Sequence, residues 1–339
     1  MTRNPKFSEK ELLRSFARMI RAKRTPARGV VTGVGDDTAV LRPKPNEDIL
    51  VTTDILVENR HFRRRWFTGF ELGWRLAAVN LSDIAAMGGR PDSGLLSLAI
   101  PPGVSGDYIL AIERGVRDHL AKYGATVVGG NVSGIEDIIL CDLTLVGSCP
   151  RGRAWHRKCR PGRDAILVVG RLGEARAGLD VLERGVRPSF APALIRSFKR
   201  PQPRLDVSGR FRANRAIHGA IDISDGLSSD VINLCEKSGA GCEIDAAALP
   251  VSRPLRAYCA HYSRDPIDVV MNGGEDYALI LAVDRGKADG LAKKIRSTLR
   301  VPAHVIGRFT REPGVYSLVD PHGRHHGFVQ GGWDHLAGR

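Results

Sequence analysis

Apolar, β-branched runs alternate with stretches of helical spacing along the whole chain, a mixed α/β (α+β) pattern. Period-two runs predict strands over Val30–Val34, Thr38–Leu41, Ile49–Thr53, Leu95–Ile100, Thr126–Val128 and Ile138–Val146. Helical spacing predicts helices over Phe70–Met87, capped by Thr68 and stopped by Gly88-Gly89, and over Asp107–Tyr123. The second half repeats the mixture, with strands over Ala165–Val169, Ile221–Ile223, Cys242–Ile244, Tyr277–Val283 and Val305–Gly307. Its predicted helices are Gly173–Arg184, Val207–Ile217, Leu227–Lys237 and Arg285–Ser297. Between the halves, Pro150–Gly162 is rich in Arg, Gly and Pro and has no apolar period, so two domains are expected, 1–150 and 151–339.

Composition narrows the class. With 339 residues, 42% of them hydrophobic and 26% charged, the chain can bury a sizeable core. Its longest uncharged run, Ser93 to Gly106, is broken by two prolines and is too short for a membrane span. No secretory signal is read at the N-terminus, and six cysteines without a C-x-x-C pair favour reduced thiols in a cytoplasm. The net charge of +14 gathers in clusters at Arg21–Arg24, Arg60–Arg65, Arg151–Arg163 and Lys199–Arg204. Such patches suit nucleotides, phosphorylated metabolites or nucleic acid alike, and equally a plain solvated surface.

In so basic a chain the informative residues are acids placed at strand ends beside small residues. They are Gly35-Asp36-Asp37, Thr52-Thr53-Asp54, Asn80-Leu-Ser-Asp83, Asp222-Ile-Ser224-Asp225 and Gly273-Gly-Glu275-Asp276. Carboxylates crowded by apolar neighbours need a cationic partner, which is Arg, Lys or a metal. Oxygen donors without patterned Cys or His suit Mg²⁺, and with it phosphate chemistry. Singly, each cluster reads equally well as a turn, an Asx motif or a helix cap; together they suggest one chemistry. A P-loop motif and a dinucleotide-binding glycine motif are both absent, and Gly129-Gly130-Asn131 after a strand could offer N–H groups to phosphate.

Read in order, these blocks resemble the thiamine-monophosphate kinase family, in the superfamily that includes aminoimidazole ribonucleotide synthetase, selenophosphate synthetase and the hydrogenase maturation dehydratase. The resemblance rests on Gly33–Leu41, Thr52–Val57 with His61-Phe62, Ala77–Gly88, Ile221–Asp230, Gly273–Tyr277 and Gly332–His335. It implies transfer of the γ-phosphoryl group of ATP to thiamine monophosphate, with Asp54, Asp83, Asp222 and Asp225 central to catalysis. Several Mg²⁺ ions would be held by Asp37, Thr52, Thr53, Asp54, Asp83, Asp222 and Asp225. Ser224, Arg157, Gly130 and Asn131 would contact ATP, and His61, Glu275 and Trp333 the thiamine substrate. It further implies a synthetase-like architecture, in which the N-terminal mixed-sheet domain forms a dimeric barrel in a homodimer and the C-terminal domain is an α/β sandwich.

The chain departs from the family at Asn131, where Asp is usual, and at Arg163, inserted within the usual Pro-Gly-Asp. Asparagine offers a neutral oxygen, so one metal is expected to bind more weakly unless Glu136 or Asp137 compensates. Another ATP-dependent enzyme of the superfamily is the rival reading. The first cysteine at Cys141 and the terminal Ala337-Gly-Arg339 speak against the selenium and hydrogenase branches. A nucleic-acid-binding protein would need a binding module that does not appear, so neither nucleic acid nor membrane is expected as a partner.

Overall fold

The computed structural model describes residues 28–331 other than 35 and 36, with residues 11, 14–16 and 18 of a preceding helical stretch. The described residues fall into two compact units. One runs to Ile84 and resumes over Gly89–Ala154; the other comprises Ala85–Gly88 and the chain from Trp155.

The first unit begins with a short antiparallel pair, β1 (Val30–Thr32) and β2 (Val40–Leu41). Its main sheet has β3 (Glu47–Val57), β4 (Arg90–Ile100), β5 (Thr126–Gly134) and β6 (Leu140–Pro150) in the order β3-β6-β4-β5. β6 pairs antiparallel with both neighbours and β4–β5 is parallel, the connection running through α2 (Gly106–Ala121). The helix α1 (Gly69–Ala86) starts in a reciprocal cap: Thr68 Oγ1 accepts the Glu71 N–H at 3.2 Å, while the Glu71 carboxylate accepts the Thr68 N–H at 3.0 Å. It buries Leu72, Leu76, Leu81 and Ile84 completely or nearly so, each worth roughly 2 kcal/mol of transfer free energy. α1 and α2 approach backbone to backbone, since a Cβ on Gly73 would lie 1.9 Å from Ile112 O and one on Gly115 2.2 Å from Phe70 O.

The opposite face of this sheet is open and carries both apolar and polar side chains. Alternation along β3 turns Ile49, Val51 and Ile55 outward, and Leu95 of β4 joins them.

The second unit is built on a seven-stranded sheet, ordered β13-β12-β9-β11-β7-β10-β8. The strands are β7 (Asp164–Val169), β8 (Ile217–Ile223), β9 (Gly241–Asp245), β10 (Ala278–Asp284), β11 (Ala303–Thr310), β12 (Tyr316–Val319) and β13 (His325–Gly327). β7 is buried at every position and β10 at all but its last, which is why both read as continuous apolar runs rather than alternating ones. Around the sheet lie α3 (Glu174–Arg184), α4 (Ala191–Lys199), α5 (Leu205–Phe211), α6 (Leu227–Glu236), α7 (Arg253–Tyr262), α8 (Pro266–Asn272) and α9 (Ala288–Leu299). One core joins Ile166, Val168, Ile221, Ile280 and Ile306 of the sheet to Val181, Leu194, Val231 and Leu255 of the helices.

Three expectations change. The helix read over Val207–Ile217 ends at Phe211, because Ile217 belongs to β8, where it pairs with Val283. The helices α4, α7 and α8 were not anticipated; two of them are capped by the Ser252 and Asp265 side chains, each followed directly or one residue later by proline. β4 starts at Arg90, five residues before the apolar run begins, because Arg90 and Asp92 are tied to Glu47 and Ser148 across the sheet.

Candidate active site

In the first unit, strand alternation separates the two threonines of β3. Thr52 and Asp54 share a side with buried Leu56, and Thr52 Oγ1 donates to the Asp83 carboxylate of α1. Thr53 points to the other face, where its hydroxyl donates to Asp142 at 3.0 Å and lies 3.2 Å from Thr144 Oγ1, its register partner on β6. Thr52, Asp54 and Asp83 therefore belong together, and the Thr53 side chain does not join them.

The loop after β3 carries His61. Its Nδ1 accepts the Val57 N–H at 3.0 Å, which places the proton of the neutral ring on Nε2. Glu58, nearly buried, braces this loop through both oxygens to Arg64, at 2.9 and 3.0 Å, and through Oε2 to the Ile139 N–H at 2.9 Å. Part of the arginine cluster is thus used within the fold, and Arg63 and Arg65 lie over the Trp66 ring at 5.0 and 5.3 Å.

A cavity of about 590 Å³ in this unit is lined by Asp37, Ser97, Gly130, Asn131 and Glu113. Gly130 has φ 151°, and a Cβ there would lie 1.8 Å from Leu96 O, so only glycine lets β5 run this close to β4. Asn131 is exposed, its Oδ1 accepting the Val132 N–H at 3.0 Å. Glu136 and Asp137 are exposed beyond it and do not line the cavity, whereas the buried Glu113 does, 3.5 Å from Arg117.

In the second unit, Asp222 lies near the end of β8, the edge strand, and is followed by the Ser224-Asp225-Gly226 loop and α6. The Gly273–Tyr277 loop docks on it: Glu275 N donates to Ser224 O at 2.6 Å and Tyr277 N to Ile223 O at 2.8 Å. This docking holds Glu275 and Tyr277 at φ 59° and 49°, a left-handed backbone that costs non-glycine residues about 1 kcal/mol each. Asp222, Ser224, Asp225 and Glu275 are thereby brought together. Arg157 is exposed in a segment lying along the β8 edge, where Ala220 N donates to His156 O at 3.0 Å.

Two acids to which the sequence reading gave no role hold this arrangement. Asp230 of α6, 2% exposed, accepts the N–H groups of Ser224, Asp225 and Gly226. Burial, then the negative charges of Asp222 and Asp225, push its carboxyl up to about 8. Asp276 accepts the Gly173 and Ala175 N–H groups at 2.7 and 3.3 Å, tying the loop to the start of α3, and burial pushes it up to about 7. Asp230 falls in the first turn of α6, where an acid suits a helix start, and Asp276 belongs to the Gly273-Gly-Glu275-Asp276 cluster, but no local pattern gives either its partners. Trp333 lies outside the described residues. Gly331 is held on α6, its N–H donating to Ser228 Oγ at 3.2 Å and its carbonyl accepting from Ser229 Oγ.

Among the described residues no group of three or more His, Cys, Asp or Glu has the spacing to enclose a metal ion. The side chains of Thr52, Asp54, Asp83, Asp222 and Asp225 are all hard oxygen donors, a chemistry that fits Mg²⁺.

Models of the AIR synthase related protein match both parts of the chain, the N-terminal domain over residues 35–149 and the C-terminal domain over residues 164–320. The thiamine-monophosphate kinase of Aquifex aeolicus is 37% identical over 73% of this chain and 79% of its own length. The chain belongs to the thiamine-monophosphate kinase family. Its fold is that of the family's solved members. The Stenotrophomonas maltophilia thiamine-monophosphate kinase superposes with a TM-score of 0.82 at 31% identity, covering 92% of this chain and 97% of that one. The structure of AaThiL complexed with AMPPCP and TMP superposes at 0.74 with 30% identity, covering 98% of each. The mixed α/β, two-domain architecture expected of the family is the one observed, and the chain is a kinase.

Proposed function

We propose that this kinase transfers the γ-phosphoryl group of ATP directly to the phosphate of thiamine monophosphate, forming thiamine diphosphate and ADP. The observation that carries the reading is the locked pair of loops presenting Asp222, Ser224, Asp225 and Glu275 in a family member. An ionised phosphate oxygen of the substrate forms the new bond to the γ-phosphorus, and the bond from that phosphorus to the bridging oxygen breaks. ADP departs with the electron pair, and no general base is required.

The obstacle is charge, because two anions must meet. Asp37, Thr52, Asp54 and Asp83 of the first unit, and separately Asp222 and Asp225 of the second, are the residues that would hold Mg²⁺, which would supply neutralisation of phosphate charge. Thr53, engaged with Asp142 on the other face, keeps β3 and β6 in register. Gly130 and Asn131 line a cavity of the first unit that suits nucleotide, and Ser224 and Arg157 of the second unit are the further residues assigned to ATP. His61 of the first unit and Glu275 of the second are assigned to the thiamine substrate, as is Trp333, outside the described residues, whose residue type suits a cationic ring.

The exposed Ile49, Val51, Ile55 and Leu95, set around the Thr53–Asp142–Thr144 cluster on the open face, support a homodimer through this sheet, since four large apolar side chains exposed on one sheet face are ordinarily covered. None of the described helices is long and apolar enough to cross a membrane, and all six cysteines are unbridged, which suits a cytoplasmic enzyme.

The test is product analysis with thiamine monophosphate, thiamine and aminoimidazole precursors as acceptors, with and without Mg²⁺. Thiamine diphosphate is expected from the monophosphate alone, only with Mg²⁺, and Asp54→Ala should lose roughly two to three orders of magnitude in kcat. Turnover of a different acceptor would move the chain to another branch of the superfamily.

A further inference from the structure

The loop between β8 and α6 has the form of an anion nest. Three successive main-chain N–H groups, those of Ser224, Asp225 and Gly226, converge on one point at the start of a helix, a geometry that elsewhere cradles phosphate. Here the point is filled by the protein itself. Asp230 Oδ2 accepts all three, at 3.0, 3.1 and 3.2 Å, from a side chain almost wholly removed from solvent. The carbonyl edge of the same loop is also committed, Ser224 O to the Glu275 N–H and Ile223 O to the Tyr277 N–H. With both main-chain edges occupied, a ligand meets this loop through the half-buried side chains of Ser224 and Asp225.

We propose that Asp230 is a positioning residue that plugs the Ser224–Gly226 amide nest, so that phosphate is received by the Ser224 hydroxyl and never by the main chain, leaving the Asp225 carboxylate for a cation. The assignment rests on the kinase reading above for its catalytic consequence, and on the hydrogen bonds alone for its structural one. A single carboxylate oxygen is the acceptor, so asparagine, with one carbonyl oxygen of the same reach, preserves the plug without the charge. Alanine leaves three buried N–H groups without their acceptor, which frees the loop to turn and opens the nest to a phosphate in the wrong place.

Two measurements separate this role from general stability. In the free wild-type protein, amide hydrogen exchange at residues 224–226 should be slowed at least a hundredfold relative to unstructured peptide. Asp230→Ala should abolish that protection, and Asp230→Asn should retain it. In steady-state kinetics with ATP and thiamine monophosphate, Asp230→Ala should lower kcat about thirtyfold or more and raise KM for ATP, with Asp230→Asn recovering most of the loss. Unprotected amides in the wild type overturn the proposal even if the alanine variant does not fold. So does an asparagine variant as damaged as the alanine one, which would make charge rather than plugging the function of Asp230. A wild-type protein with protected amides but no turnover of thiamine monophosphate would sink the substrate assignment and leave the plug standing.

Discussion

Replacing Asp276 by asparagine should stabilise the protein at pH 8 and do progressively less as the pH falls. Asp276 is half-buried by exposed surface but densely surrounded, and its carboxyl is pushed up to about 7 from an ordinary value of 3.8, with desolvation the largest cause and Glu174 and Glu275 adding repulsion. Its bonds to the Gly173 and Ala175 N–H groups only partly offset this. A raised carboxyl has a definite sign: the folded form holds its proton more tightly than the unfolded one, so stability falls as pH rises from about 4 and levels off above about 7. At roughly 1.4 kcal/mol per unit, the window from pH 5 to pH 8 spans on the order of 3 kcal/mol. Asparagine keeps one of the two acceptor oxygens, a loss that does not vary with pH, and has no charge to desolvate. The variant's advantage over wild type should therefore widen by about 3 kcal/mol across that window, a change of roughly 6–12 °C in Tm for a unit of this size. Thermal melts of both proteins at pH 5, 6, 7 and 8, without nucleotide or metal, measure it, and other titrating groups cancel in the difference. A gap that stays constant, or narrows toward pH 8, would refute the reasoning.

Two further outcomes are expected. Val51→Lys puts a charge among the exposed apolar side chains of the open face, where Val51 is 66% exposed, and should weaken self-association at least tenfold in sedimentation equilibrium; a wild-type protein that sediments as a monomer at all concentrations would remove the dimer. The double variant Ser228→Ala/Ser229→Ala removes both bonds that anchor Gly331, each worth about 1 kcal/mol, and should raise KM for thiamine monophosphate about thirtyfold while KM for ATP changes little. An equal rise for both substrates would contradict a role of the Gly331 contacts in thiamine recognition.

The amino-acid sequence determined which elements form wherever the signal is local. α1 is announced by the Thr68 cap, an apolar stripe and the Gly88-Gly89 stop, and the structure starts it at Gly69 and ends it at Ala86. β7 and β10 are announced by unbroken apolar runs. The acids were legible as a set for the same reason: a carboxylate beside glycine at the end of an apolar strand is conspicuous within a few residues. What each one does was decided by neighbours distant in the chain. Thr52 and Thr53 are adjacent in sequence, yet the pleat sends one to Asp83 on a helix and the other to Asp142 across the sheet. Asp276 reads as the twin of Glu275, and only packing against residues about a hundred positions earlier turns it into the cap of α3. Hydrogen-bond direction and burial are properties of the assembled backbone, and a linear pattern of residue types carries neither.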